Sequence, residues 1–238
     1  MAGNLYIVAT PIGNLEDISL RALRILKEVD SILCEDTRTT RKLLFHYNIH
    51  TPVLSYHQHS QLQKTEYIVD QLRQGKNLAL VSEAGTPSIS DPGCKLVGKL
   101  VSWQVDKEGN FKTLKLINLQ TKIIPIPGPS ALVSSASISG FPMDRFLFLG
   151  FLPRKKKRKK FLEIIKNSKF PVIFYESPYR IIKTLEELQE MLKDREVVVC
   201  RELTKKFESV YRGSIAEVLR ELKADKIKGE FVVIVNHL

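Results

Sequence analysis

Val81 to Gly93 reads VSEAGTPSISDPG, a stretch whose Gly, Pro, Ser and Thr residues continue neither a strand nor a helix but suit the holding of a small molecule. The apolar run Leu78-Ala79-Leu80-Val81 before it has the length and composition of a buried parallel strand. A long loop at the carboxyl end of such a strand offers backbone N–H groups and hydroxyls, here over Ser82, Glu83, Ala84, Gly85 and Thr86, to the crevice above the sheet where ligands of open α/β sheets bind. A second group capable of chemistry is Glu35-Asp36-Thr37-Arg38, delivered by the strand Ser31 to Cys34 to the same edge. An acid there could accept a proton while Arg38 clamps a phosphate; equally, the acids suit capping the helix Thr39 to Phe45 and pairing with the arginine. His57 and His59 have no third ligand near them, a poor zinc site, which leaves His57 for surface contact or a substrate hydrogen bond. Cys34, Cys94 and Cys200 are widely spaced, read as reduced structural thiols, and no metal site is expected.

These groups need a frame, and the chain supplies an α/β one. Leu5 to Ala9 is a buried strand broken by Thr10-Pro11-Ile12-Gly13-Asn14; Asp17 or Ser19 then caps a helix with Leu20, Leu23, Ile25, Leu26 and Val29 on its apolar face. The turn lacks GxGxxG, which disfavours a nicotinamide-binding Rossmann motif. Val53 to Tyr56 forms a third strand and Gln61 to Gln74 a helix leading back to the central strand. Asp91 as N-cap and Pro92 at the first helical position open a helix to about Lys99. Ser102 to Lys122 suits a β-hairpin turning at Glu108-Gly109-Asn110. A fifth strand, Ile123 to Ile126, runs into Pro127-Gly128-Pro129-Ser130-Ala131, and this stiff corner sets the expected domain boundary, 1–126 and 127–238. Strands Phe146 to Gly150, Val172 to Tyr175, Val197 to Cys200 and Phe231 to Val235 then alternate with helices, and their short connections predict antiparallel pairing in a mixed sheet.

Net charge is +11, and Arg154, Lys155, Lys156, Lys157, Arg158, Lys159 and Lys160 form one cationic run. Such a run repels itself and stays solvated, so a polyanion, nucleic acid above all, is its expected partner. With neither a long apolar span nor a charged-then-apolar amino terminus, the expectation is a cytoplasmic protein without membrane association.

TPIGNLEDIS (Thr10 to Ser19), CEDTR, SYHQHS (Ser55 to Ser60), VSEAGTPSISDPG, IPGPSA (Ile126 to Ala131), GFLPRK (Gly150 to Lys155), FYESPYR (Phe174 to Arg180), RELTKKFE (Arg201 to Glu208) and KGE (Lys228 to Glu230) come in this order along the chain. The whole series resembles the ribosomal RNA small subunit methyltransferase I family of the tetrapyrrole methylase superfamily. The resemblance implies a two-domain tetrapyrrole-methylase-like α/β fold, with a mainly parallel amino-terminal sheet, a mixed carboxyl-terminal sheet and a cofactor cleft between the domains. It implies a homodimer that uses S-adenosylmethionine for 2′-O-methylation of a cytidine in the decoding region of 16S ribosomal RNA, free or within the 30S subunit. It further implies that Pro11, Gly13, Asn14, Ser82 to Thr86 and Pro127, Gly128, Pro129, Ser130 and Ala131 line the cofactor. Tyr175, Glu176, Arg201, Glu202, Leu203, Gly229 and Glu230 would hold its adenosine. Glu83, Ser60 and Tyr179 stand where that family usually has Asp, Asn and His. A ribose hydroxyl is a poor nucleophile, so a general base is expected: Glu35 or Asp36 beside Arg38 first, His57 second. The competing readings are a precorrin or siroheme-type methylase and a non-catalytic basic RNA-binding protein.

Overall fold

The computed structural model describes residues 2–56, 62–91, 93–101, 103–105, 111–113, 121–193 and 195–237. His57, the second candidate base, lies outside them, as do Pro92 and the centre of the expected hairpin turn. The chain forms two compact units, Met1–Ser130 and Ala131–Leu238.

In the first unit, β1 (Leu5–Val8), α1 (Leu20–Glu28), β2 (Ser31–Cys34), α2 (Thr37–His46), β3 (Val53–Ser55), α3 (Leu62–Arg73), β4 (Leu78–Val81) and α4 (Gly93–Leu100) follow in turn. A small antiparallel hairpin, β5 (Trp103–Val105) with β6 (Phe111–Thr113), precedes β7 (Ile123–Ile126). The main sheet is wholly parallel, in the order β3-β2-β4-β1-β7. Its two faces are both buried. Val8, Ile32, Ala79, Val81 and Ile126 pack with Ile25 and Leu26 of α1 and Leu44 of α2, whereas Leu5, Leu33, Leu78 and Leu80 pack with Ile68 and Leu72 of α3 and Leu96 of α4. Burial on both faces is why these strands read as unbroken apolar runs rather than as alternating ones.

That arrangement sends α1 and α2 to one face and α3 and α4 to the other. The chain leaving β1 therefore departs on the opposite face from the chain leaving its neighbour β4. The crevice outside their carboxyl ends is the topological switch point, where open α/β sheets place ligands. Ser19 caps α1, its hydroxyl accepting from Ala22 N at 3.1 Å. Asn14 caps a short 3-10 turn, Leu15–Asp17. Helix α2 begins at Thr37, earlier than expected, because Asp36 is its N-cap.

The second unit holds α5 (Ala131–Ile138), β8 (Leu147–Phe151), α6 (Arg158–Asn167), β9 (Val172–Glu176), α7 (Ile181–Leu192), β10 (Glu196–Arg201), β11 (Ser209–Ser214), α8 (Ile215–Ala224) and β12 (Phe231–Val235). Its sheet runs β11-β10-β12-β9-β8, parallel between β8 and β9 and antiparallel elsewhere, so it is mixed. Strand β11 is an addition to the sequence reading. Its residues, SVYRGS, have neither an apolar run nor a clean alternation; what makes them a strand is backbone pairing along the whole of β10, from Ser209 opposite Arg201 to Ser214 opposite Glu196, at a sheet edge where polar side chains cost little. Ser214 then closes a reciprocal capping box with Glu217 and starts α8. The expected boundary at 126/127 falls a few residues short of the observed division. The Pro127 to Ser130 corner stays with the first unit because Gly128 lies against Ala9 and Thr86 Oγ1 donates to Pro129 O at 3.2 Å. Among the described residues no helix is long and apolar enough to cross a membrane.

Candidate active site

At the switch point of the first unit lies a cavity of about 250 Å³ lined by Thr10, Pro11, Gly13, Leu15, Thr39, Thr40, Lys42, Leu43, Ser82 and Glu83. Two stretches singled out from the sequence line it, through Thr10, Pro11, Gly13, Leu15, Ser82 and Glu83, whereas Asn14, Ala84, Gly85, Thr86 and the Pro127 to Ala131 corner do not. Thr10 and Gly85 exchange backbone hydrogen bonds, each N–H reaching the other's carbonyl at 3.0 Å, which stitches the turn after β1 to the loop after β4. Thr10 Oγ1 donates to Ser82 O at 3.1 Å, and Ser82 Oγ donates to Gly85 O at 2.9 Å. The third stretch joins through the bond from Thr86 to Pro129.

Gly85 sits at φ +81°, a left-handed conformation natural to glycine, and a β-carbon there would come within 3.3 Å of Ile12 Cγ2 and 3.5 Å of Pro129 O. Gly128 has a different reason: a β-carbon would meet that of Ala9 at 3.0 Å. The two glycines therefore let three backbone segments approach one another more closely than side chains allow. Replacing Gly85 with valine is expected to weaken ligand binding about 5- to 30-fold, the equivalent of about 1–2 kcal/mol of left-handed strain. Isothermal titration of the variant against the proposed cofactor checks it, and wild-type affinity would show that the turn tolerates a side chain.

The acidic cluster lies beside this cavity rather than in its lining. Cys34 ends β2, buried, and Glu35 follows half-buried. The last paired residues of β2 and β4 are Leu33 and Leu80, and two residues beyond them come Glu35 on one strand and Ser82 on the other. Asp36 is committed elsewhere. Its Oδ1 accepts from the backbone N of Arg38 at 2.8 Å and from Arg38 Nε at 3.2 Å, and its Oδ2 from Arg38 Nη2 at 3.2 Å. These bonds, the Arg38 side chain first, hold the Asp36 carboxyl below its ordinary 3.8. A carboxylate whose folded pKa is depressed stabilises the fold above the ordinary value and loses that contribution as the pH falls through the depressed one. Asp36→Ala is accordingly expected to lower the urea midpoint at neutral pH, with the gap closing in acid. A gap that did not change with pH would assign the effect to packing rather than to the charge.

Thr39, Thr40, Lys42 and Leu43 add to the lining that the sequence reading expects. The signal for them is their helical spacing directly after the strand end that carries Glu35. Asp91, expected to cap α4, accepts from Ser88 N at 2.8 Å and Gly93 N at 2.7 Å through one oxygen, and burial raises its carboxyl above the usual range.

The residues of the second unit that the resemblance assigns to adenosine fall into two groups. Glu202, Gly229 and Glu230 come together: Glu202 Oε1 accepts from Glu230 N and from Lys205 Nζ, both at 2.9 Å, Lys205 also reaches Glu230 at 2.8 Å, and Gly229 packs against the Glu202 side chain. Leu203 beside them is buried. Arg201 turns away, donating to Lys228 O at 2.9 Å and Asp225 at 2.8 Å. Tyr175 is half-buried with its ring edge-on to Phe148 and Phe151, and burial raises its hydroxyl's pKa. Ala131 opens α5. Glu176 is buried and bonded internally, its oxygens accepting from Ser177 N at 2.7 Å, Thr184 Oγ1 at 2.8 Å and Arg180 Nη2 at 2.6 Å.

The cationic run divides as well. Arg154, Lys155, Lys156, Lys157, Lys159 and Lys160 are exposed. Arg158 departs from the expected solvated role. Its side chain is 13% exposed and donates to Glu187 at 2.6 Å, Thr184 at 2.8 Å and Pro153 O at 3.2 Å, because it starts α6 on the side facing α7.

Residues 4–219 match the family model described as Tetrapyrrole (Corrin/Porphyrin) Methylases. The chain is 47% identical, over 98% of its length and 76% of the relative's, to the ribosomal RNA small subunit methyltransferase I of Halalkalibacterium halodurans. It is 42% identical over 98% of both chains to the protein of that name from Thermotoga maritima. Among solved structures it is similar to a diphthine synthase (TM-score 0.70, 13% identity, covering 98% of this chain and 90% of that one) and a cobalt precorrin-4 methyltransferase (TM-score 0.64, 17% identity, covering 98% and 94%), likenesses that show the fold alone. With a family match across most of its length, and with Thr10, Pro11, Gly13, Leu15, Ser82 and Glu83 of the resembling stretches in the wall of the switch-point cavity, the chain belongs to the tetrapyrrole (corrin/porphyrin) methylase family and is a methyltransferase.

Proposed function

We propose that the protein uses S-adenosylmethionine to methylate the 2′-hydroxyl of a cytidine in the decoding region of small-subunit ribosomal RNA. The observation that carries this reading is identity of 42–47% across nearly the whole chain to proteins named ribosomal RNA small subunit methyltransferase I. The cradle fits one end of the cofactor. A cavity of about 250 Å³ is smaller than the roughly 300–1,000 Å³ typical of whole-ligand pockets. Pro11, Leu15 and Leu43 offer apolar wall, Thr39, Thr40 and Ser82 hydroxyls, and Glu83 and Lys42 opposite charges. When bound, the cofactor supplies an activated methyl on a sulfonium. The chain's part is to hold the acceptor hydroxyl in line, a placement that can supply on the order of 7–11 kcal/mol of the barrier, and to take its proton. Glu35, the first residue past β2 and level with Ser82, is the acid we assign to that proton, since the side chain and backbone of Arg38 hold Asp36 in its charged form.

The exposed cations around Arg154 to Lys160 would take phosphates without reading bases. The same reading makes the enzyme a cytoplasmic homodimer acting on 16S RNA or the 30S subunit. Transfer of labelled methyl to small ribosomal subunits, with the label recovered as 2′-O-methylcytidine, is the expected result. Transfer to a porphyrinogen instead would move the protein to the tetrapyrrole-modifying branch, and an absence of cofactor-binding heat would leave it a binding module. RNA affinity should fall by roughly 0.7 in log units per log unit of salt for each phosphate held; a flat response would count against a nucleic-acid substrate.

A further inference from the structure

Helix α2 has two unlike sides. Thr40 and Leu44 are buried against the sheet, while Arg38, Arg41, Lys42 and Phe45 recur at i, i+3, i+4 and i+7 on the side facing outward. The Arg38 side chain is 86% exposed and Phe45 is 86% exposed, and α2 contains no acidic residue. A single exposed Phe is ordinary on a protein surface, so Phe45 alone carries nothing. What gives it meaning is its place at the end of a cationic stripe, one member of which, Lys42, also lines the switch-point cavity.

We propose that this outer face of α2 is a landing surface for single-stranded RNA, with Arg38, Arg41 and Lys42 taking successive phosphates and Phe45 stacking on a base. The inference rests on the RNA-methylating reading above and names a second binding region, separate in the chain from the Arg154 to Lys160 run. The stripe runs from Arg38 to Phe45, eight residues and about 10 Å of helix, on the order of three stacked nucleotides at ~3.4 Å each. Arg38 is paired with Asp36 through Nε and Nη2, and its guanidinium is exposed enough to meet a phosphate while that pair is kept. An aromatic ring and cations on one face bind single strands well, because every base has a face to stack and every nucleotide a phosphate to pair. A helix face is too broad for the deep, narrow major groove of an RNA duplex, so single strands are the form that fits. Lys42 lines the same cavity as Ser82 and Glu83, so a strand held on this face leads to the rim of that cavity.

The test is fluorescence anisotropy of a short labelled single-stranded oligoribonucleotide, with cofactor-binding heat measured on the same samples as the check on folding. Phe45→Ala should weaken RNA binding about 5- to 150-fold, and Phe45→Tyr, which keeps the stacking face, should restore it. Arg41→Ala should reduce the slope of log affinity against log salt by about 0.7, the signature of one fewer phosphate neutralised. Wild-type RNA affinity in Phe45→Ala and an unchanged slope in Arg41→Ala would overturn the landing surface while leaving the methylation reading intact. A shift from dimer to monomer in Phe45→Ala with RNA affinity unchanged would likewise overturn it, assigning the face to a second copy of the chain. A wild-type protein that binds no RNA yet methylates another acceptor would remove both.

Discussion

Glu35→Gln is expected to lower the rate of methyl transfer by ~10²–10⁴-fold while leaving cofactor affinity near that of the wild type. Strand β2 sets the geometry. Its four residues, Ser31–Cys34, carry the chain to the sheet's carboxyl edge, and Glu35 is the first residue past it, level with Ser82 across the β2–β4 pair. The next residue, Asp36, spends both oxygens on the N-terminus of α2 and on Arg38, and its pKa is depressed accordingly. The bonds that depress it favour the charged form, which makes Asp36 reluctant to accept a proton and is why the proposed base is Glu35. Glutamine preserves the shape of Glu35 and removes its basicity. Single-turnover methyl transfer with saturating cofactor isolates the step, and Asp36→Asn beside it should lose far less. Wild-type turnover in Glu35→Gln would end its candidacy and pass the role to His57, whose alanine variant is then the next to assay.

The capping role of Asp36 at the start of α2 shows what sequence alone conveys here and what it does not. The parallel strands were legible because burial on both faces leaves runs such as Leu78-Ala79-Leu80-Val81 with no polar interruption. Ser19 was legible as a helix start because a hydroxyl before an apolar period has one common use. The meeting of the Thr10, Ser82 and Pro129 stretches was legible as three corners at strand ends, since parallel strands bring every such corner to one edge. Strand β11 was not, because its stability comes from a partner backbone rather than from its own side chains. Nor was the inward turn of Arg158, for a run of like charges carries no periodicity to mark which member meets Glu187. The lining residues Thr39, Thr40, Lys42 and Leu43 lay within the expected helix Thr39 to Phe45, but nothing in their side-chain types marks which turn of that helix borders the cavity.

Glu176→Ala is expected to destabilise the second unit by about 3–5 kcal/mol, roughly 150- to 5,000-fold in its folding equilibrium. The carboxylate is fully buried at the end of β9 and meets Arg180 at 2.6 Å, with Arg158 at 4.0 Å, both guanidiniums themselves mostly out of solvent. Removing it takes the close carboxylate from Arg180 and leaves Arg158 to Glu187 alone, in a site that water reaches poorly, and takes a partner from Ser177 N and Thr184 Oγ1 as well. Burial also makes the loss insensitive to salt, unlike that of a surface pair. The same two arginines hold the chain just before the cationic run, Arg180 donating to Leu152 O at 2.8 Å and Arg158 to Pro153 O at 3.2 Å. Loosening them should therefore blur the placement of Arg154 to Lys157 and weaken RNA binding along with stability. Urea denaturation at low and high salt measures the first effect and anisotropy with RNA the second. The opposite pattern, an unchanged urea midpoint with cofactor binding abolished, would mean that Glu176 serves the adenosine directly and that its internal partners are secondary. Glu176→Gln separates the contributions further, because the amide keeps one acceptor for Ser177 N and loses the charge that the arginines require, so its cost should fall between wild type and alanine.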